Sequence, residues 1–570
     1  MSIHHFDTSY IVHNIVQSTR RMQLAPIDQT ITWSNWIGNN EFKPGVKDAL
    51  YYKSPTKFSE LKYILEQAFE QGKKIRVSGQ RHSAAPLIIS NNSGQDKVES
   101  GSTWVIDLSC YSDLGKQGTS NIVLNKKTAT VTVNAGVSET ELDAFLTKHG
   151  YRLKTTTAGG FFSMGGITAV DAHGAAVNQS IFSDSAIAYT VVNDYGVKTT
   201  YDSSSEKFSG YSPLQFFRTS LGSLGVVTSI TLRVAPRPSK ESVLPSHKLY
   251  SIVDEQDFQK TYADLLFSGT YDSIESFFNP YAKKNNFLAF RWQIKPAVAN
   301  AAPGESGHTN KSIVAHVTTT CRKAVEKMWG ATLFPDEKRV EKLSMKVQNS
   351  KLPFSGNLMI STSFSGMSKL MDKAIAGHDL LWLSHGLRSM DMSYFIPLPQ
   401  DSAEKALHKA WKALQIVRDE LSSSRDFISP FPVEFRFVRG SNSLLAGNYT
   451  EHYSPAVEKN QLFLVVEVVG AVRKGSVEDY PVNLVNYFSR VERKWVAMGG
   501  MPHNAKMYGF YDPENPETDT GTAPFNPGFI RHIWSGKRLS RVEAFAAYQK
   551  KLDPGGMFCG SYGRLLGICK

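Results

Sequence analysis

Hydrophobic positions along the chain follow two rhythms, and the change between them divides the sequence. Between Thr56 and Gln71 the residues Phe58, Leu61, Ile64, Leu65 and Phe69 recur at helical spacing, and Gly72 follows as a stop. Lys74 to Val77 reads as a short strand ending in Ser78-Gly79, and Thr128 to Val133 alternates as another. Ser138 and Glu141 form a capping box that opens a helix with Leu142, Phe145 and Leu146 inward, closing at His149-Gly150. Val226 to Val234 alternates again until Ala235-Pro236-Arg237-Pro238 breaks it. This alternation of strands and helices marks a first unit, residues 1–238.

From 239 to 480 the blocks are longer. Phe287 to Ile294, Asn357 to Phe364, Val433 to Val438 and Leu462 to Val469 read as strands, and a helix runs from Asp401 with Leu407, Ala410, Trp411, Leu414 and Val417 inward. Ala299 to Asn310 reads as a mobile loop. The pattern predicts an α+β protein whose second unit holds an antiparallel sheet. Residues 481–570 form a C-terminal segment that returns to the first unit. No internal repeat is visible.

At 570 residues, with 41% hydrophobic and 20% charged positions, the chain is too long for one core and is neither disordered nor fibrous. No apolar run approaches the roughly 20 residues that span a bilayer; the longest, Leu462 to Val472, is broken by Glu467. The first residues lack the basic start and apolar run of a signal peptide, so a cytoplasmic location is expected. Lys plus Arg exceed Asp plus Glu by 64 − 52 = +12, compatible with a membrane surface or an anionic ligand. The cations do not cluster: Asp336 to Lys342 is a mixed-sign helical face, and no nucleic-acid module is present, so a nucleic-acid partner is not expected. Cys110, Cys321, Cys559 and Cys569 lack zinc-site spacing and are too few for a disulfide scaffold; free thiols, and no metal, are expected.

Three segments of the first unit carry candidate chemistry. Directly after a strand comes Gly79-Gln80-Arg81-His82-Ser83, whose glycine and small polar residues let backbone N–H groups approach a phosphate. Alone, His82 reads as an ordinary loop histidine. Ala158-Gly159-Gly160-Phe161-Phe162-Ser163-Met164-Gly165-Gly166, followed by His173-Gly174, packs four glycines into nine residues, which costs stability unless the backbone needs positive φ or close contact. Its spacing fits neither a Rossmann fingerprint nor a P-loop. Leu221-Gly222-Ser223-Leu224-Gly225-Val226-Val227 punctuates the start of a strand, where a plain turn is the alternative. In order and spacing the three together resemble the FAD-binding domain of the vanillyl-alcohol oxidase family, the PCMH-type flavin fold. That resemblance implies an FAD cofactor, bonded covalently through His82, with the glycine-rich segment around the pyrophosphate and Gly225 to Val227 along the flavin.

Two further segments follow. In Pro432-Val433-Glu434-Phe435-Arg436-Phe437, period-two alternation puts Glu434 and Arg436 on one face; an isolated strand of this kind reads as half-exposed with a salt-bridged outer face. Gly499-Gly500-Met501-Pro502-His503-Asn504-Ala505-Lys506 and Asp553-Pro554-Gly555-Gly556-Met557-Phe558 complete the set. These resemble the sugar-lactone oxidases, with patchy agreement between about 239 and 390, and type II cholesterol oxidase is similar in its P-V-E-x-R strand and in Gly165 to Ala176. The resemblance implies oxidation of a CH–OH group of a sugar 1,4-lactone or polyol, with oxygen or another acceptor. Arg436 and Lys506 would hold the developing alkoxide, Glu434 would orient Arg436 or take the hydroxyl proton, and His503 would complete the catalytic group. The rivals are an oxidase of a sterol or other bulky alcohol, and a flavin-free binding protein on the same scaffold. Two positions depart from the lactone-oxidase pattern. Asn504 replaces a tryptophan of the substrate wall, and Thr157 stands, by counting back from Gly165-Gly166, where that group has glycine.

Overall fold

Three sheets carry the protein in a computed structural model that describes residues 33–42, 51–89, 102–115, 118–157, 159–239, 242–295, 337–371, 389–423, 426–472, 480–515 and 520–570. The loop expected at Ala299 to Asn310 lies outside the described residues. The first sheet joins β1 (Tyr52–Lys53), β2 (Lys74–Ser78) and β3 (Thr103–Asp107) in parallel, in the order β1-β3-β2. Parallel strands need a crossover, and α1 (Phe58–Glu70) supplies it between β1 and β2. It buries Leu61, Ile64 and Leu65, whereas Phe69, expected on the same face, is 50% exposed in the last turn.

The second sheet is antiparallel and contains β4 (Ile122–Asn125), β5 (Thr130–Asn134), β6 (Ala186–Val192), β7 (Lys198–Asp202) and β8 (Val226–Arg233), ordered β7-β6-β8-β5-β4. The expected capping box opens α2 (Glu139–Lys148): Glu141 N donates to Ser138 Oγ at 3.2 Å, and Ser138 N to the Glu141 carboxylate at 2.8 Å. A short helix, α3 (Met164–Thr168), starts inside the glycine-rich segment with Ser163 as its N-cap.

The third sheet contains β9 (Val243–Tyr250), β10 (Ser273–Phe278), β11 (Phe287–Ile294), β12 (Ser389–Pro397), β13 (Val433–Arg439), β14 (Leu462–Ala471) and β15 (Met501–Pro502). Its order is β9-β11-β10-β13-β14-β12-β15, antiparallel throughout. One face is apolar. Phe435 and Phe437 pack on Tyr262 of α4 (Glu255–Phe267), and Phe258 of α4 lies 5.3 Å, ring to ring, from Trp411 of the later helix Ala403–Ser423. Leu407, Ala410, Trp411, Leu414 and Val417 are buried there, as the spacing predicts.

Three expectations are corrected. Asn357 to Phe364 is not a strand but part of the helix α5 (Pro353–Met371). Ile360 and Phe364, one helical turn apart, bury against Trp292 and Phe290, while Leu358 stays 57% exposed; a short apolar run does not by itself separate helix from strand. Cys559 and Cys569 are not free thiols but form a disulfide, because the turn and short helix at Ser561–Leu565 bring their Cα atoms to 5.8 Å. The Glu434/Arg436 face is not an outer face, as the site below makes plain. The C-terminal residues run along β2, where Ile75 N donates to Met557 O at 2.8 Å. Among the described residues no helix is long and apolar enough to cross a membrane.

Candidate functional site

A cavity of about 510 Å³ lies between the first two sheets and the polar face of the third. Its walls include Gly79 to Ser83, Gly159, Ser163, Gly165, Gly166, His173, Gly225 and Val227 on one side, and Glu434, Arg436, His503 and Lys506 on the other. Segments some 350 residues apart in sequence thus meet in one cleft. Ala158 lies outside the described residues. Gly160 and Gly174, expected at the cofactor, are not among the lining residues. The Gly160 carbonyl accepts from Thr140 N at 2.6 Å at the start of α2, and a Cβ on Gly174 would stand 2.3 Å from the Thr156 carbonyl oxygen. Their smallness serves backbone packing behind the wall.

The cofactor end is built for close backbone approach. A Cβ on Gly79 would stand 2.3 Å from Ser163 Oγ, so any larger residue would displace the hydroxyl that caps α3. Among the described residues, the backbone N–H groups of Gly79, Gln80 and Ser83 donate to no protein acceptor, and the buried Gln80 Oε1 has no partner. Such a cluster of unpaired groups in a cleft fits a polar, anionic ligand of the FAD kind. His82 is boxed by three rings: it stacks on Trp36 with centroids 4.9 Å apart, and Phe161 and Phe162 lie at 4.7 and 4.9 Å. Arg76, also on the cleft, donates to the carbonyls of Leu87, Leu221, Gly222 and Phe558; burial lowers it to about 10. It ties β2 to the glycine-punctuated loop and to the C-terminal segment.

Thr157 sits in the wall with its backbone N–H and hydroxyl both donating to Glu139, the first residue of α2. Burial raises Glu139 to about 8.

At the other end, alternation along β13 sends Glu434 and Arg436 into the cleft and Phe435 and Phe437 into the core. Arg436 is only 7% exposed and bridges Glu434 and Glu275, the latter its register partner on β10. Lys506 Nζ lies 3.2 Å from Asp391 Oδ2 and 3.2 Å from Glu467 Oε1. Its position is fixed by the backbone: His503 N donates to Ser393 O at 2.9 Å and Met507 N to Asp391 O at 3.0 Å, hanging this loop on β12. Although burial opposes their charge, neighbouring carboxylates hold both cations above their ordinary values. Burial raises Glu434 and Glu467 alike, to about 7, with Arg436 and Lys506 respectively pulling them back.

His503 Nδ1 lies 3.1 Å from Asp171 Oδ1, and its ring stacks on Phe395. His173 stands 5.8 Å from it, ring to ring, and burial lowers His173 to about 3. Asn504, expected in the substrate wall, is instead a strut. Its backbone N and side-chain amide donate to the two Asp171 oxygens at 2.8 and 3.0 Å, and its amide also reaches Leu445 O. Gly447 N donates to the same carboxylate at 3.0 Å, so Asp171 pins the third sheet's loops onto the glycine-rich segment. Sequence reasoning did not single out Glu275, Asp391, Glu467 or Asp171. Only Glu467 left a signal: a lone charge interrupting the apolar run Leu462 to Val472.

Comparison with known proteins agrees with this geometry. The profile of the FAD-binding domain family matches residues 49–200, and that of the D-arabinono-1,4-lactone oxidase family matches residues 271–565. The chain is 23% identical to L-gulonolactone oxidase of Mus musculus over 93% of its own length and 97% of the mouse protein. It is 23% identical to D-arabinono-1,4-lactone oxidase of Eremothecium gossypii, over 85% of each. Among solved structures, cholesterol oxidase from B. sterolicum superposes with a TM-score of 0.65 at 16% identity, covering 94% of this chain and 96% of that one, a likeness of fold. Unpaired backbone donors around the cofactor end, a charged cluster facing them and the profile matches converge on one conclusion: the chain is an FAD-dependent oxidoreductase and belongs to the D-arabinono-1,4-lactone oxidase family.

Proposed function

We propose that the substrate is a sugar 1,4-lactone or related polyol, oxidised at a CH–OH group, with FAD attached through His82. The observation that carries this reading is the lining of the substrate end: Asp391, Glu434, Arg436, Glu467 and Lys506 all reach the cleft. Several hydroxyls can be matched by such a wall, whereas a sterol would desolvate these charges without offering them hydrogen bonds in return. The names of the mouse and E. gossypii relatives point the same way.

Bound FAD supplies a two-electron acceptor for the carbinol hydrogen. The residues of the chain do the rest. The loop 79–83 and the segment 159–166 would hold the cofactor through backbone donors. Arg436 and Lys506, fixed before substrate arrives, stabilise negative charge as it develops on the substrate oxygen. Glu434 lies against Arg436, and burial raises it toward neutrality, which suits it to accept the hydroxyl proton. Dioxygen or another acceptor then takes the electrons.

Anaerobic mixing of the holoenzyme with a panel of sugar lactones, polyols and sterols tests the reading. Lactones or polyols should bleach the flavin absorbance. Bleaching by sterols alone would overturn it in favour of a bulky-alcohol oxidase.

A further inference from the structure

We propose that Glu467 is a second catalytic carboxyl, sharing one proton with Glu434 so that the pair together accepts the proton of the substrate hydroxyl. This rests on the reading above and adds to it a residue and a proton-storage site.

The geometry comes from strand register. Glu434 on β13 and Glu467 on β14 are direct antiparallel partners, which puts their side chains on the same face, with Cβ atoms about 4.5–5.5 Å apart. Both line the cleft, and their side chains are 22% and 18% exposed. Like charges directly opposite in a sheet are unfavourable, more so in a dry cleft. The surrounding charge does not cancel them. Facing Glu467 are Glu434 and Arg436 from β13, Asp391 and Ser393 from β12, and Lys506 and His503 from the segment after β15. Glu275 of β10 and His173 stand further round. Burial keeps both histidines neutral. Four carboxyls against two cations leave a net charge of 2 − 4 = −2 if all ionise. Retaining a proton on the Glu434–Glu467 pair removes one of these negative charges. Burial raises both; the charge of Glu434 adds to the rise at Glu467, while Glu275 adds to the rise at Glu434.

The chemistry balances. The substrate C–H hydrogen would leave with both bonding electrons to bound FAD, the two-electron acceptor of the proposed reaction. The O–H bond breaks, its electron pair forms the second bond of the carbonyl, and its proton goes to whichever carboxyl of the pair is ionised. Lys506, held at Glu467, and Arg436, held at Glu434, would both be on hand for the oxygen's charge.

The test uses the holoenzyme and its Glu467→Gln, Glu467→Asp and Glu434→Gln variants. In wild type the rate of anaerobic flavin reduction, with any alcohol or lactone that bleaches it, should rise through an apparent pKa near neutrality. Glu467→Gln removes the opposing charge and should move that limb acidward by about one unit or more, while Glu467→Asp should keep it in place. A rate lowered equally at every pH, with the limb unmoved, would overturn the proposal and leave Glu467 a holder of Lys506. Infrared difference spectra of the resting holoenzyme across pH need no substrate. Beside the carbonyl bands of the buried Glu139, Asp171 and Glu492, they should show one carboxylic acid band titrating near neutrality that is displaced in both glutamine variants; a set of bands untouched by either would also overturn it. If Glu467→Gln fails to keep FAD, Glu434→Gln and Glu467→Asp still decide by the same band. Failure of lactones with a displaced band sinks the substrate reading alone; lactone turnover with an unmoved limb and an untouched band sinks the pair alone.

Discussion

Arg436 and Glu275 are register partners on neighbouring strands, and the ion pair between them holds the same guanidinium nitrogen, Nη2, that Glu434 holds. The cation is therefore oriented before any ligand arrives, and its Nε, buried without a protein partner, remains for one. Lys506 is held in the same way by Asp391 and Glu467. Removing either charge should act on the transition state rather than on folding. Arg436→Ala or Lys506→Ala is expected to slow flavin reduction by roughly 10²–10³, the usual loss for one preorganised donor, with FAD content near wild type. Anaerobic stopped-flow reduction measures it; an effect below about threefold in both would refute the assignment.

His82 is held among Trp36, Phe161 and Phe162 at the cofactor end of the cleft, a packed ring rather than a loose loop histidine. Acid precipitation of the wild type should leave the yellow colour in the pellet. In His82→Ala the colour should move to the supernatant. Release of all the flavin from the wild type would exclude the covalent bond and leave noncovalent binding standing.

Thr157 commits its hydroxyl to Glu139, which fixes the side chain in the cleft wall. A fixed branched side chain there would narrow a route of dioxygen to a reduced cofactor, if that route passes this wall. Thr157→Gly should speed reoxidation in aerated buffer several-fold, and the wild type should prefer an artificial dye acceptor. Fast wild-type reoxidation, unchanged in the glycine variant, would mean that Thr157 gates nothing.

Buried carboxyls also set a pH dependence of stability. Burial raises Glu139 to about 8 and Asp171 and Glu492 to about 7, against roughly 4 in an unfolded chain. The native state therefore binds more protons than the unfolded one between those values, so stability falls as pH rises through them. His173 and His503, lowered by burial, act oppositely, but chiefly below about pH 7, where unfolded histidines charge. The melting temperature of the holoenzyme should consequently drop between pH 7 and pH 8. Glu139→Gln should shrink that drop while keeping a partner for Thr157; an identical drop in the variant would assign the dependence elsewhere.

Local signals in the sequence decided much of this molecule. The capping box at Ser138 and Glu141, the helical stripe from Leu407 to Val417 and the alternation in Val433 to Val438 each depend on near neighbours, so their physics is written within a few residues. The same locality made Asn357 to Phe364 ambiguous, since a run of eight apolar and small residues satisfies either period until Ile360 and Phe364 find Trp292. Resemblance in motif order supplied Glu434, Arg436, His503 and Lys506, and the fold brought them to one cleft. What the sequence could not reveal was every partnership made across strands. Glu467 opposite Glu434, Glu275 opposite Arg436, Asp391 beside Lys506 and Asp171 beneath Asn504 join positions 33 to 333 residues apart. Register decides the first two pairs, and it is set only when the whole sheet closes and its apolar face finds the helices, because a shift of one residue would turn those strand charges into the core; the other two depend on loops that only the closed fold brings together.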